Sequence, residues 1–284
     1  MSSAETPRGT GEVPRHQQLI VTIFGLYARR GELAVSAVIA LLGELGAPAP
    51  AVRSSVSRLK KRGVLVSRRD NGSAAYALSE DLQHVFGEGD RRIFSVDRAG
   101  LDEPWLLAAV TVPEAQRSRR HLIRSLLTKR GFGSVTPGLW IAPGRIGEAA
   151  AAELERHGLA DYVDLFLADY RGELARKIDQ WWDLPQLAEQ YEEFLAHTDP
   201  VVARWESAEP TPREAFVDYI PLVTRWRRLP YLDPGLPLEL LPPQWPGQRA
   251  AETFLALHHR LGPLAARHVE ELIPARGSGL RVQQ

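Results

Sequence analysis

Residues 49–69 read APAVRSSVSRLKKRGVLVSRR. Val52, Val56 and Leu59 recur at i, i+4 and i+7, so a helix formed here carries a single apolar stripe. Arg53, Ser54, Ser57, Arg58, Lys60 and Lys61 fall off that stripe. Gly63 stands just past the last turn, where a residue of left-handed conformation closes a helix. Arg53, Arg58, Lys60, Lys61, Arg62, Arg68 and Arg69 are all cationic, and the stretch holds no acidic residue. One greasy face with cations and hydroxyls elsewhere suits a helix that neutralises phosphates and reaches base edges. A charged helix face is often only solvated surface, so the reading depends on the neighbours.

Those neighbours complete a recognisable module. A first helix is expected from His16 to Arg29, with Leu19, Ile20, Ile23, Phe24 and Tyr27 inward. A second is expected from Ala34 to Leu45, with Val35, Val38, Ile39 and Leu42 inward. Gly46 ends it, and GAPAP leads into the quoted helix, its prolines suiting a first turn. Val64–Val66 and Ala75–Leu78 read as strands around Asp70-Asn71-Gly72-Ser73, a hairpin signal because Asn and Gly accept positive φ. Three helices and a two-stranded ribbon make a winged helix-turn-helix over residues 15–86. Its third helix would enter the major groove. Arg53, Ser54, Ser57 and Arg58 are the candidates for the groove face. Lys60, Lys61 and Arg62 suit phosphates, and Arg68 and Arg69 would touch backbone or minor groove from the wing. Helix-turn-helix proteins bind paired half-sites as dimers, so the expected partners are double-stranded operator DNA and a second copy of the chain.

Composition bounds the rest. At 284 residues the chain has room for about two domains. No apolar run reaches the ~20 residues that span a bilayer, and the N-terminus lacks a secretory signature. Absence of cysteine excludes disulfides, thiolate metal sites and a Cys nucleophile. A cytoplasmic protein is expected. The overall charge is zero, yet residues 1–98 hold 14 Lys and Arg against 10 Asp and Glu, so +4 there is balanced by −4 over residues 99–284. The cations concentrate on the helix-and-wing stretch, a local footprint implying salt-sensitive DNA affinity.

Residues 1–14 are polar and expected to be disordered, and 87–104 are expected to be a linker. Trp105–Val112 reads as a buried strand and Arg117–Arg130 as an amphipathic helix, with His121, Leu122, Leu126 and Leu127 along one side. Val135–Ile141 reads as a second strand region, Ile146–His157 as a helix and Tyr162–Leu167 as a closing strand. This order suggests a ferredoxin-like middle domain over 105–170. Nucleases on that fold hold a metal with an Asp ending the first strand. Here Ala109-Val110-Thr111-Val112 offers no carboxylate.

The region 171–276 reads as a mainly helical domain, so the fold class is α+β. Helices are expected over Glu173–Ala196 and Arg213–Arg228. An irregular Pro-rich passage follows from Leu229 to Ala250, and the last helices run from Thr253 to near Ile273. Five of seven tryptophans follow residue 180. Most suit a core, but aromatics beside arginines also suit an acyl ligand with an anionic handle. The candidate ligand residues are Trp140, Arg145, Trp181, Arg225, Arg228 and Trp245. His258, His259 and His268 lack a zinc-ligand spacing. No G-x-S-x-G, P-loop or Rossmann pattern occurs, so no metal, cofactor or catalytic residue is expected.

Four blocks carry a resemblance to the PaaX family of transcriptional regulators: VRSSVSRLKKRGVL (52–65), RHLIRSLLTKRGFGSVTPGLWIAPGR (120–145), IDQWWDLPQLAEQYEEF (178–194) and LPYLDPGLPLELLPPQWPGQRAAETF (229–254). The last two have little use outside that family. The resemblance implies a winged helix, a ferredoxin-like middle and a helical C-terminal domain. It also implies a repressor released by a small-molecule effector such as an aryl-CoA thioester, since the best-known members answer to the CoA thioester of phenylacetate. The alternative is an enzyme, nuclease or thioesterase-like, that the winged helix recruits to DNA.

Overall fold

The computed structural model describes residues 15–70, 73–83, 92–95 and 98–273. The chain divides into two compact units. Met1–Phe94, Glu193–Arg227 and Ala250–Gln284 make the first, and Ser95–Glu192 with Arg228–Arg249 the second. Among the described residues no helix is long and apolar enough to cross a membrane.

The first unit begins with α1 (His16–Tyr27), the two-residue strand β1 (Leu33–Ala34), α2 (Val35–Glu44) and α3 (Ala49–Lys61). The strands β2 (Leu65–Asp70) and β3 (Ser73–Leu78) follow, and the antiparallel sheet runs β1-β3-β2. The ribbon is longer than its apolar residues suggested, and its turn at 71–72 lies outside the described residues. Leu19, Ile20, Ile23 and Phe24 of α1 meet Val38, Leu41 and Leu42 of α2 and Val52, Val56 and Leu59 of α3 in one core. Leu41 is fully buried, whereas the expected Val35 and Ile39 are only half-buried.

The far face of α1 is covered as well, by a helix from the other end of the chain. Helix α7 (Pro212–Trp226) starts with a capping box: the Thr211 hydroxyl accepts from the Glu214 N–H, and the Glu214 carboxylate accepts from the Thr211 N–H. α7 packs on α1. At the contact the buried Thr224 hydroxyl donates to the Thr22 hydroxyl at 2.9 Å. Trp226 stacks on Phe254 with ring centroids 4.6 Å apart, and its indole N–H donates to the Ile93 carbonyl at 2.7 Å. Phe254 and His258 belong to α8 (Pro246–Leu272), one 27-residue helix where several were expected. Tyr219 Oη lies 2.7 Å from His258 Nδ1.

The second unit carries β4 (Trp105–Val110), α4 (Arg117–Lys129), β5 (Gly133–Thr136), β6 (Leu139–Pro143), α5 (Gly147–Arg156) and β7 (Val163–Ala168). Its antiparallel sheet has the order β5-β6-β4-β7. The single strand region expected over Val135–Ile141 is a hairpin. Pro137-Gly138 interrupts it, and Gly138 has φ +88°, the conformation the third residue of a type II turn requires. Ile123, Leu126 and Leu127 of α4 and Ala150 and Leu154 of α5 cover one sheet face. Leu126 and Leu127 are buried as expected, but Ile123 takes the inward place expected of Leu122, which is exposed with His121.

The opposite sheet face receives Trp182. Its indole N–H donates to the Gly131 carbonyl at 2.9 Å, and its ring lies 6.3 Å from that of Trp105. The expected helix Glu173–Ala196 breaks there. Short turns at Leu174–Arg176 and Ile178–Trp181 precede α6 (Leu184–Glu206), which starts where Asp183 Oδ1 accepts from the Gln186 N–H at 3.1 Å. The returning chain is held by buried Asp233. It pairs with Arg98 at 2.6 Å and accepts from Tyr191 Oη and the Gly235 N–H, each at 2.8 Å.

Two tests follow from this packing. A Cβ on Gly133 would sit 2.6 Å from the Trp182 ring and 2.9 Å from the Trp181 carbonyl. Gly133→Ala is expected to cost about 1–3 kcal/mol, the range for overpacking, read as a lower urea midpoint. An unchanged midpoint would refute this seating of Trp182. Burial first, and the charge of His259 second, hold the His258 imidazole below its ordinary pKa. As pH falls through about 6.5 the unfolded chain takes up this proton before the folded one, so stability is lost. The thermal midpoint should drop between about pH 7.5 and 5.5, and drop less in His258→Gln. Equal slopes would clear His258 of the effect.

Candidate nucleic-acid interface

Helix α3 owes its placement to its two ends. Before it, Gly46 at φ +79° closes α2, with Ala47 N–H donating to Leu42 O at 2.9 Å. Pro48 has extended backbone and Pro50 lies in the first turn, where a missing N–H costs nothing. After it, Gly63 at φ +70° lets Val64 N–H reach Leu59 O and Gly63 N–H reach Lys60 O, both at 3.0 Å. That is the Schellman closure. It turns the chain directly into β2.

Between these ends Val52, Ser55, Val56 and Leu59 are buried, while Arg53, Ser54, Ser57, Arg58, Lys60 and Lys61 are exposed. Arg58, Lys60 and Lys61 lie in the last turn, where cations complement the helix dipole. Arg62 caps the helix and donates to Gln17 Oε1 of α1 at 3.3 Å. Arg68 is exposed on β2, opposite Ala75. Arg69 lies opposite Ala74, but its side chain lies outside the described residues. All the described cations and serines singled out for this surface are thus exposed to solvent.

One contribution had no signal in the sequence. Glu44, at the end of α2, is the acid nearest to α3 along the chain on its N-terminal side. It is ion-paired with Arg213 of α7, 169 residues away. The pairing offsets the negative charge beside the basic helix.

The candidate ligand residues sit in several surroundings. Trp140 is buried in the helix-covered core of the second unit. The Arg145 guanidinium donates twice to Glu103, at 2.9 and 3.2 Å. The Gly100 N–H, and then Arg145, hold the Glu103 carboxyl below its usual pKa. Trp181 is half-buried, edge-on to Tyr170 at 5.5 Å, and Trp245 is buried edge-on to Tyr191 at 6.1 Å. Arg225 is half-buried in the first unit, and Arg228 is exposed in the second. A small cavity in the first unit is lined by other residues, among them Thr22, Leu26, Phe94 and Val223. Among the described residues no three His, Cys, Asp or Glu side chains group as a metal site.

A Cβ on Gly63 would meet nothing within 4 Å, so substitution there tests conformation alone. Gly63→Ala is expected to cost about 1–2 kcal/mol, the penalty for a left-handed L residue. Gly63→Asn should cost less. Equal urea midpoints for all three proteins would show that this closure is not what ends α3.

Comparison with known proteins matches each part of the chain. Residues 15–82 match the PaaX-like protein family, 98–178 the PaaX protein central Cas2-like domain, and 182–271 the PaaX-like protein C-terminal domain. The transcriptional repressor PaaX of Escherichia coli K12 is 29% identical over 289 aligned positions, covering 94% of this chain and 91% of the relative. The solved structure of the uncharacterized protein Rv0674 from Mycobacterium tuberculosis superposes with a TM-score of 0.55 at 23% identity, covering 89% of this chain and 99% of that one. It bears on the fold alone. Matched in all three parts, the chain belongs to the PaaX family.

Proposed function

We propose that this protein is a cytoplasmic transcriptional repressor, not an enzyme, that binds operator DNA as a homodimer and is released by a small-molecule effector such as an aryl-CoA thioester. The observation that carries the reading is α3, with an exposed face of cations and serines and no acidic residue. The three helices and ribbon act as a winged helix-turn-helix. Arg53, Ser54, Ser57 and Arg58 face the major groove, and Lys60, Lys61, Arg62, Arg68 and Arg69 meet phosphates or the minor groove. The second unit holds the ferredoxin-like domain, in the order β4-α4-β5-β6-α5-β7, and residues 171–276 the helical domain. The name of the Escherichia coli relative supports the repressor reading. Trp140, Arg145, Trp181, Arg225, Arg228 and Trp245 remain the candidate effector contacts. An effector acts only through unequal affinity for the DNA-bound and released states.

Fluorescence anisotropy on labelled DNA from upstream of the protein's own gene tests this, with random DNA as competitor at fixed salt. Arg53→Ala and Arg58→Ala should each weaken binding at least about tenfold, the loss for a base-reading arginine, with circular dichroism unchanged. Lys60→Ala should weaken specific and random DNA alike. Phenylacetyl-CoA should lower the affinity of the natural protein. Binding competed equally by random DNA, and untouched by both arginine changes, would overturn the reading.

A further inference from the structure

The chain holds a second basic run like the one over residues 49–69. Between Glu114 and Glu148 it carries seven Lys or Arg and no acidic residue. Residues 99–284 sum to −4, so this +7 island stands on a remainder of −11. Helix α4 with its C-cap Arg130 holds six of the seven cations. Ile123, Leu126 and Leu127 bury one side of α4 against the sheet. Arg117, His121, Arg124 and Thr128 recur at i, i+4, i+7 and i+11 on the opposite side, and all four are exposed. Exposed Ser118, Ser125 and Lys129 flank them.

This arrangement works against the helix itself. Arg117, Arg119 and Arg120 crowd the first turn, where the dipole favours anions, and that turn holds no acid. Arg120 and Arg124 set like charges at i, i+4, which disfavours the helix again. Glu114 answers Arg117 at 2.7 Å and Arg120 at 3.2 Å, and Arg119 lies over the Tyr162 ring, 4.8 Å from its centroid. Among the described residues Arg124 and Lys129 have no ion pair or hydrogen bond. A face that was only solvated would gain from acids interspersed among its cations. Local rules broken in this way are expected at functional sites.

The shape of the face selects its ligand. The stripe from Arg117 to Thr128 is about 16 Å long, at 1.5 Å per residue. A small anion would engage one or two of its cations. Duplex DNA, with one negative charge per about 1.7 Å of axis, engages a line. A membrane surface would call for an apolar stripe laid into the lipid, and a single strand for aromatic platforms. α4 uses its apolar stripe on the sheet, and it has no Phe, Tyr or Trp.

We propose that the outward face of α4 is a second DNA surface, where Arg117, Arg124 and Lys129 hold duplex phosphates without reading sequence. It deepens the repressor reading and rests on it for the identity of the ligand.

Fluorescence anisotropy with the full chain tests this, on the labelled upstream DNA and on random DNA over a series of salt concentrations. Each lost phosphate contact lowers the slope of log affinity against log salt by about 0.9. Arg124→Gln combined with Lys129→Gln should therefore lower the slope by about two on both DNAs. The ratio of the two affinities and the circular dichroism should not change. Arg171→Gln combined with Arg176→Gln removes the same charge from exposed positions of the same unit, off α4, and should leave the slope intact. An unchanged slope in the α4 pair, or an equal fall in the control pair, would overturn the proposal. So would an α4 pair that binds DNA normally but loses phenylacetyl-CoA, which would assign the face to a small anion. If Arg53→Ala lowers specific binding while the α4 pair keeps its slope, this surface alone falls. If the natural protein does not distinguish upstream from random DNA, yet the α4 pair lowers both slopes, the surface stands and the repressor reading falls. A natural protein that binds no duplex removes both.

Discussion

The contact between α1 and α7 holds the basic helix in its setting. α1 has apolar residues around much of its circumference. Leu19, Ile20, Ile23 and Phe24 are buried with the neighbouring helices, and Thr22 is buried toward α7, where its hydroxyl receives that of Thr224. The Thr22 hydroxyl donates onward to the Gln18 carbonyl of its own helix. The Thr22 hydroxyl can thus accept while donating, so the pair leaves no buried hydroxyl without a partner, a condition whose violation costs about 1–3 kcal/mol. α3 packs on α1 and is tied to it again through Arg62 and Gln17. The exposed basic face of α3 therefore rests on a core built from stretches far apart in the chain.

The second unit is closed by different means. Trp182 seats against a bare Gly133, and Asp233 gathers Arg98, Tyr191 and Gly235 around a buried carboxylate. A buried charge with this many partners adds little net stability while intact, but removing one partner leaves the other exposed to a desolvation cost of several kcal/mol. The hub ties the 228–249 return to Arg98, ahead of β4, and to Tyr191 of α6.

The helix-and-hairpin grammar of the sequence was legible where spacing is local. Val52, Val56 and Leu59 marked the buried stripe of α3, and Gly46 and Gly63 marked its boundaries. All six residues off that stripe proved exposed. The α4 face was read correctly at Leu126 and Leu127 but not one turn earlier, where Leu122 and Ile123 are adjacent and equally apolar and the buried one is Ile123. The β5–β6 turn was missed because the strand reading ran through Pro137-Gly138. The break before α6 was hidden by continuous helical periodicity in IDQWWDLPQL, although Asp183 followed by Pro185 is a helix start. Glu44 with Arg213, and Thr22 with Thr224, lie 169 and 202 residues apart, and no local pattern announces such pairs. The middle sheet was legible as three strand regions between helices, one of which is a hairpin, so its four-stranded order was not.

The first unit draws on residues up to Phe94, from Glu193 to Arg227 and beyond Ala250. During synthesis, α1 emerges long before α7 and α8. At about 5–20 residues per second, the interval is roughly ten seconds or more. Throughout it Thr22 and the apolar flank of α1 lack their cover. A nascent or prematurely terminated chain would carry the basic helix on an unfinished core, prone to recapture by chaperones or proteases. The first unit thus completes its core only after residues of α7 and α8 have followed the basic helix by more than a hundred positions.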